Sequence, residues 1–379
     1  MKSKFKLRHK IIAAVNAAAV VGMIILTAVG SSAAKAQKYN YAAERWKNES
    51  KKDFGQVSCF FGKESGFDLK SVESMKAEFY SKLKEASIEP EEGKTLVPYA
   101  YSNPVGKAII SGDDLGTTEA DITAVGGKFF FFRDFDLLTG AFFEDDDLMK
   151  TGVVVDRQVA FSLYGSDDIA GKNLYINNVR LFISGVIDFP KTKAEKNCAG
   201  ETPKAYISYD AAKMVFGGGD DFFGQGISQE LNRVTCYECI SPEPVDNFTY
   251  NVVNDKCAQL YKGKIKIVNN ADRFEPSKRI KALKKIEDNV VVREDIIYPY
   301  WENASRITDL KLSFIYGARR LLLIIPIITL AVLLIKAVML YNRKKAGLKK
   351  ALADNMSVKW SEFKKKFSKK AAQTTEKES

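Results

Sequence analysis

The chain has 379 residues, 46% hydrophobic, 28% charged and 11% aromatic, which excludes a disordered polymer, a collagen and a disulfide-stapled miniprotein. Its formal charge of +11 is unevenly placed: residues 1–10 carry five Lys/Arg and no acid, and 342–379 carry twelve Lys/Arg against four acids. With Arg319, Arg320 and Lys336 also set aside, residues 35–318 hold 38 basic and 43 acidic residues. An acidic middle between basic ends argues against nucleic-acid binding and for a membrane protein whose ends share one compartment.

The single histidine, His9, lies in the basic N-terminal stretch with Lys6, Arg8 and Lys10. No imidazole is therefore available in the middle of the chain for a Ser-His-Asp triad, a Cys-His pair or a zinc site that uses His. The reading assigns no catalytic residue, no metal and no cofactor.

From Ile11 to Ala34 the chain runs through twenty-four residues without a charge, with Asn16 its one strongly polar member. A membrane helix needs about 20 apolar residues. Ala34-Lys35-Ala36 would suit signal-peptide cleavage, but the apolar region of a signal is usually about 7–15 residues, so an uncleaved span is expected. A second apolar run, Leu321–Tyr341, is followed by Arg343-Lys344-Lys345. Lys336 is close enough to its end to snorkel, and Pro326 is a break that membrane helices tolerate. The Lys/Arg bias puts both ends in the cytoplasm and 35–318 outside, although Arg319 and Arg320 run against it locally.

In the middle segment, Leu69, Val72, Met75, Phe79, Leu83 and Ala86 recur at steps of three and four, an amphipathic helix after Asp68. Strands are expected at 107–111, 120–125, 152–156, 173–177, 179–187, 204–208 and 233–240. Asn177-Asn178 suits a tight hairpin between two of them. Helices are expected at 157–164, 209–216 and about 245–261, and the chain turns basic and then helical over 275–318. Strands and helices do not alternate strictly, so the outer domain reads as α+β. The fold class is therefore an α+β extracytoplasmic domain between two transmembrane α-helices. Its parts are a basic N-terminus (1–10), span one (11–34), the outer domain (35–318), span two (321–341) and a basic tail (342–379).

Gly165 to Asn173 departs from a phosphate-binding loop, with five residues between the glycines and Asn173 where Ser/Thr would hold magnesium. It reads as a turn into a strand. Asp113-Asp114, Glu144–Asp147 and Asp220-Asp221 do not match the spaced ligands of a calcium loop and read as solvated acids. Cys236-Tyr-Glu-Cys239 has the spacing of a redox dithiol but lies in a strand-like context, where residues three apart face opposite ways. A structural disulfide is expected instead, with Cys198 as a partner for Cys236 or Cys239. The tail places Leu348, Leu352, Met356, Trp360, Phe363 and Phe367 on one helical stripe, with Lys349, Lys350, Lys364, Lys365 and Lys366 around it. That pattern suits a basic amphipathic helix on an anionic leaflet, against a solvated tail or a dimer helix.

Residues 101–216 resemble the extracytoplasmic core domain of MacB-like ABC-transporter permeases. The resemblance is carried by Thr123-Ala124-Val125 leading to Phe129-Phe130, then Leu137-Leu138-Thr139-Gly140 and Phe143 before Asp145-Asp146-Asp147. It continues through Val153-Val154-Val155, Leu163-Tyr164-Gly165, Ala170-Gly171-Lys172, Asn177-Asn178 and Ile183-Ser184-Gly185-Val186-Ile187. Ala141 stands where such permeases commonly carry Arg. The resemblance implies a non-enzymatic subunit of an export or mechanotransmission system in a bacterial plasma membrane. Its implied partners are the lipid bilayer, an ABC ATP-binding subunit, a multi-span permease and a second copy of itself. Permeases of this family have further membrane helices, whereas two spans are read here, so the resemblance implies the outer fold above all. The alternative is a free-standing membrane receptor or envelope scaffold that uses the same domain without an ATPase.

Overall fold

A computed structural model describes residues 7–47, 53–90, 95–113, 116–217, 230–258, 260–261, 264–285 and 295–375, with the side chains of 285, 363 and 365–375 outside that description. The chain divides into two compact units. One comprises the two ends up to Thr27 and from Gly317, and the other is Ala28–Tyr316.

The first unit holds most of α1 (Leu7–Lys35) and of α10 (Tyr300–Thr375), helices that are each long and apolar enough to cross a membrane. The two spans meet side by side. Asn16 Nδ2 donates to Thr329 Oγ1 at 3.0 Å and to Ile12 O at 2.8 Å, so the one strongly polar group of span one is paired within the apolar layer. Pro326 lies inside α10, which continues past it without interruption. The tail forms no separate element: span and tail are one helix.

The second unit is a mixed sheet of ten strands among the described residues, in the order β10-β1-β9-β2-β3-β8-β5-β7-β4, with β6 joined to β2 and β7. The strands are β1 (Phe54–Phe61), β2 (Tyr99–Gly112), β3 (Thr117–Gly127), β4 (Asp136–Gly140) and β5 (Gly152–Asp156). They continue with β6 (Asn173–Ile176), β7 (Val179–Asp188), β8 (Lys204–Ser208), β9 (Cys236–Pro242) and β10 (Ile265–Asn269). Only β3·β8 and β5·β7 pair parallel, so the domain is α+β. Asn177 and Asn178 take φ of 48° and 64°, the left-handed pair that a two-residue hairpin between β6 and β7 requires.

Each face of the sheet has its own core. Val57, Cys59 and Phe61 of β1, Val153 and Val155 of β5, and Ala205 and Ile207 of β8 point to one side. There they meet α3 (Leu69–Glu85), α5 (Arg157–Tyr164), α7 (Tyr209–Phe216) and α8 (Phe248–Cys257). The residues between them, Phe60, Val154 and Tyr206, point to the other side, with α2 (Ala42–Lys47), α4 (Phe129–Arg133) and Trp301 of α10. This is the period-two alternation of a sheet buried on both faces. Two carboxylates begin helices on the first side: Asp68 accepts from Ser71 N at 2.9 Å and Asp156 from Val159 N at 2.9 Å.

Two glycines separate conformational from steric need. Gly140 has φ +79°, and a Cβ there would lie 2.1 Å from Ser184 O, whereas Gly165, with φ +66° at the end of α5, has open space. Gly165→Ala is expected to cost about 1 kcal/mol, the left-handed penalty alone. Gly140→Ala adds a clash with backbone and should cost about 2 kcal/mol or more, read as the larger loss of thermal stability. Equal losses would contradict the close approach of β4 to β7.

Candidate functional site: the stem of the outer domain

The sheet face opposite α3, α5, α7 and α8 rests on a stem. Its parts are the end of α1 with the turn Lys38–Tyr41, the first turns of α10, and the segment from Asn270 through α9 (Pro276–Ala282). At its centre is Arg273, whose side chain is 3% exposed and lies between two carboxylates seven residues apart on α10. Arg273 Nη1 and Nη2 donate to Glu302 Oε2 and Oε1 at 2.7 and 2.8 Å, and Nε and Nη2 donate to Asp309 Oδ2 at 3.1 and 2.9 Å. Arg279 pairs with the other oxygen of Asp309 at 2.7 Å. Two guanidinium groups thus neutralise two carboxylates out of water. Burial works against the charge on Arg273, but Asp309 and Glu302 outweigh it and hold its pKa above the ordinary value. Burial raises Glu302, against the downward pull of Arg273.

A chain of buried polar contacts runs from this pair into the sheet. Arg273 Nη1 also reaches Asn270 Oδ1 at 3.4 Å, and Asn270 Nδ2 donates to Ser58 Oγ on β1 at 2.7 Å. Ser58 Oγ donates to Glu238 Oε1 on β9 at 2.8 Å, and the other oxygen of Glu238 takes Arg133 Nη2 from α4. Arg133 lies 4.4 Å over the ring of Trp301, which returns the chain to α10. Among the described residues its Nε and Nη1 have no hydrogen-bond acceptor, and its guanidinium faces a nest of rings that includes Phe129 and Tyr39. Ring faces partly replace water for such a cation. The end of α1 joins the same system through Asn40, which donates to Ser305 Oγ of α10 at 2.6 Å. Gln56 of β1 donates to Tyr39 O at 2.8 Å.

The expected site residues are distributed differently. Cys236 and Cys239 lie on β9 with their side chains in the cores of opposite faces, and Cys198 is half-exposed on α6 (Lys193–Ala199). All five cysteines are free thiols in this structure, and a disulfide of Cys198 with Cys236 or Cys239 stands as a proposal. Burial pushes Cys236 and Cys257 up to about 12 and also raises Cys59 and Cys239, which withholds the reactive thiolate. Gly165 ends α5 and β6 begins at Asn173, so the glycine-rich stretch is a turn, with Lys172 stacked on Tyr164 at 4.4 Å. Among the acids, Asp113 accepts from Asn173 and Tyr175, and Asp145 accepts from Gly127 N. Asp114, Asp220 and Asp221 lie outside the described residues. Leu348, Leu352, Met356, Trp360, Lys349, Lys350 and Lys364 are exposed on α10, and the side chains of Phe363, Lys365, Lys366 and Phe367 lie outside the description.

The stem residues Arg273, Glu302 and Asp309 are absent from the sequence expectations. The one signal was an acid pair two helical turns apart on a face otherwise made of Ala304, Ser305, Thr308 and Leu312.

With this geometry in place, the model of the MacB-like periplasmic core domain matches residues 14–232, more than half of the chain. The chain belongs to that family. Among solved structures it is similar to the periplasmic region of MacB from Actinobacillus actinomycetemcomitans, at 14% identity and TM-score 0.39, over 62% of this chain and 94% of that one. The extracellular domain of the noncanonic ABC-type transporter YknZ from Gram-positive bacteria matches at 13% identity and TM-score 0.37, over 56% and 100%. A permease-protein domain from Porphyromonas gingivalis matches at 12% identity and TM-score 0.32, over 57% and 89%. No curated protein matches the chain. As a MacB-like periplasmic domain between two apolar helices, the protein is related to ABC-transporter permeases and is consistent with a membrane location.

Removing Arg273 would leave two buried carboxylates facing one another. Arg273→Met is expected to cost about 3–5 kcal/mol, the usual penalty for stripping one partner from a buried ion pair. Adding Glu302→Gln and Asp309→Asn to that variant should recover much of the loss, measured by thermal unfolding of the purified chain. No recovery would show that packing, not charge, holds the stem.

Proposed function

We propose that this protein is a non-enzymatic membrane subunit of an ABC-type export or mechanotransmission system. Its outer domain contacts substrate, a partner or the envelope, and α10 relays the resulting movement to the cytoplasm. The observation that carries this reading is that α10 is a single helix from Tyr300 to Thr375, with its first turns locked by Arg273 and Trp301 into the sheet. A hydrogen-bonded helix transmits axial displacement and rotation well, and a buried ionic clamp at its base limits slip between helix and sheet. Its partners are an ABC ATP-binding subunit, a multi-span permease and a second copy of the chain. The test is purification from solubilised native membranes with identification of what comes with it. Recovery of an ATP-binding subunit and a multi-span permease supports the relay, and recovery of neither favours a free-standing receptor or scaffold.

The Lys/Arg bias supports both termini in the cytoplasm of a bacterial cell and the sheet domain outside. Cys198, half-exposed while the other four thiols are buried, makes this testable without substitution. A membrane-impermeant maleimide should label Cys198 in intact cells and the remaining cysteines only after denaturation. Labelling that begins only when the inner membrane is opened would reverse the topology.

The tail serves in this reading as a contact with the anionic inner leaflet, its apolar side chains in the headgroup boundary and its lysines on lipid phosphate. Each lysine near such a surface contributes about 1 kcal/mol at low salt. A peptide of 346–370 should become helical on anionic vesicles, with a blue shift of Trp360 fluorescence, and stay unfolded on neutral ones. Absence of both responses would leave the tail as a solvated or partner-binding helix.

A further inference from the structure

Residues 276–285 carry five Lys/Arg and no acid, with Glu275 before the run and Glu287 after it. They fold as α9 followed by a short turn of helix, Leu283–Lys285, and the ionic stem uses only one of their cations. That one is Arg279, committed to Asp309, while Lys278 pairs with Asp272 at 2.6 Å. Lys281 and Lys284 are exposed, and among the described residues neither has a carboxylate partner. Lys311 of α10 is exposed and unpaired in the same sense. The side chain of Lys285 lies outside the description.

A small apolar cluster fixes where α9 lies. Ile280 shares it with Ala33 and Ala34 from the end of α1 and with Leu312 and Tyr316 of α10. Ala34 is the last residue of the first uncharged run, and Tyr316 stands five residues before Leu321, where the second apolar run begins. At 1.5 Å of rise per helical residue, that separation is about 8 Å. The headgroup layer on each side of the hydrocarbon core is about 5–8 Å thick. A cluster that borders both apolar runs therefore lies at headgroup level and holds α9 there. Phe314, 59% exposed on α10, adds a ring near the same level, and lysines among apolar and aromatic side chains are what that boundary favours. Arg319 and Arg320, which run against the Lys/Arg bias, belong to the same boundary by sequence. Cations placed there meet lipid phosphate before they meet any other anion. On the reading that α1 and α10 both span, we propose that α9, through Lys281 and Lys284 and assisted by Lys311, rests on the anionic phospholipid headgroups of the leaflet from which the sheet domain emerges.

The full-length chain in nanodiscs provides the test, with phosphatidylcholine alone compared with a mixture of phosphatidylcholine and phosphatidylglycerol. Hydrogen exchange is followed by mass spectrometry in peptides that cover 276–285. Exchange should be slower in the anionic discs at low salt, by about fivefold for each lysine engaged. Added salt should erode the difference. Lys281→Gln combined with Lys284→Gln should abolish it and exchange like the wild type in neutral discs, since both side chains are exposed. Lys281→Arg combined with Lys284→Arg keeps the charge and should retain it. Replacing Lys364, Lys365 and Lys366 by Gln should leave the difference in place, which separates this contact from the one assigned to the cytoplasmic tail. Equal exchange in the two kinds of disc would overturn the proposal and leave the basic run to an acidic protein partner. So would a difference that survived in the Gln variant of α9 or vanished in the tail variant. A chain that failed to enter nanodiscs would overturn the spanning reading and this contact with it. None of these outcomes depends on an ATP-binding partner, so they leave the relay to its own test.

Discussion

The arrangement of the outer domain depends on keeping Arg273 charged where water is absent. A guanidinium in that position is tolerable only because Glu302 and Asp309 arrive from one face of α10 and occupy its fork in two directions. That requirement fixes the rotation of α10 about its own axis, since a turn of one residue would carry both carboxylates away together. It also fixes the chain before α9 against the helix. Apolar packing alone would permit several rotations at similar energy, and an ionic fork permits one.

The sheet extends this constraint laterally. Ser58 and Glu238 are polar residues on central strands, and each is satisfied by the chain of contacts that begins at Arg273 and ends at Arg133. Arg133 at the far end sets two of its N–H groups against ring faces, so loss of its bond to Glu238 would leave a buried cation and a buried carboxylate oxygen unpaired. The two faces of the sheet are therefore unequal. The side with α3, α5, α7 and α8 is an ordinary apolar core, while the stem side combines rings, ions and amides, which demand exact geometry more than area.

Elements with a strong local pattern were legible from the residues. α3 begins after its Asp68 cap, α5 and α7 match their expected ranges, and β5 and β8 match as well. β1 was not legible because it is buried on both faces and carries Gln56 and Ser58 inward, which erases the alternation that marks a half-exposed strand. α4, five residues of which four are Phe, is too short for a helical period to show. The stem ion pairs join residues 29 and 36 apart, across a turn and a helix start, and no local window contains both partners. The opposite facing of the cysteine pair was legible from its strand-like context. Cys236 and Cys239 are close in sequence, but the strand turns them to opposite cores.

Those cysteines have a consequence for how the domain matures. Four of the five thiols end in the interior of the fold. While the chain is still unfolded, however, all five are accessible, and in an oxidising compartment any two can cross-link before they are hidden. Folding is thus a race between burial and oxidation. The raised thiol pKa values apply only after burial, so protection is a product of the folded state and cannot assist in reaching it. A reducing or oxygen-poor exterior removes the race altogether, and in any other setting rapid closure of β1, β9 and α8 over Cys59, Cys236, Cys239 and Cys257 becomes a selected property of the sequence.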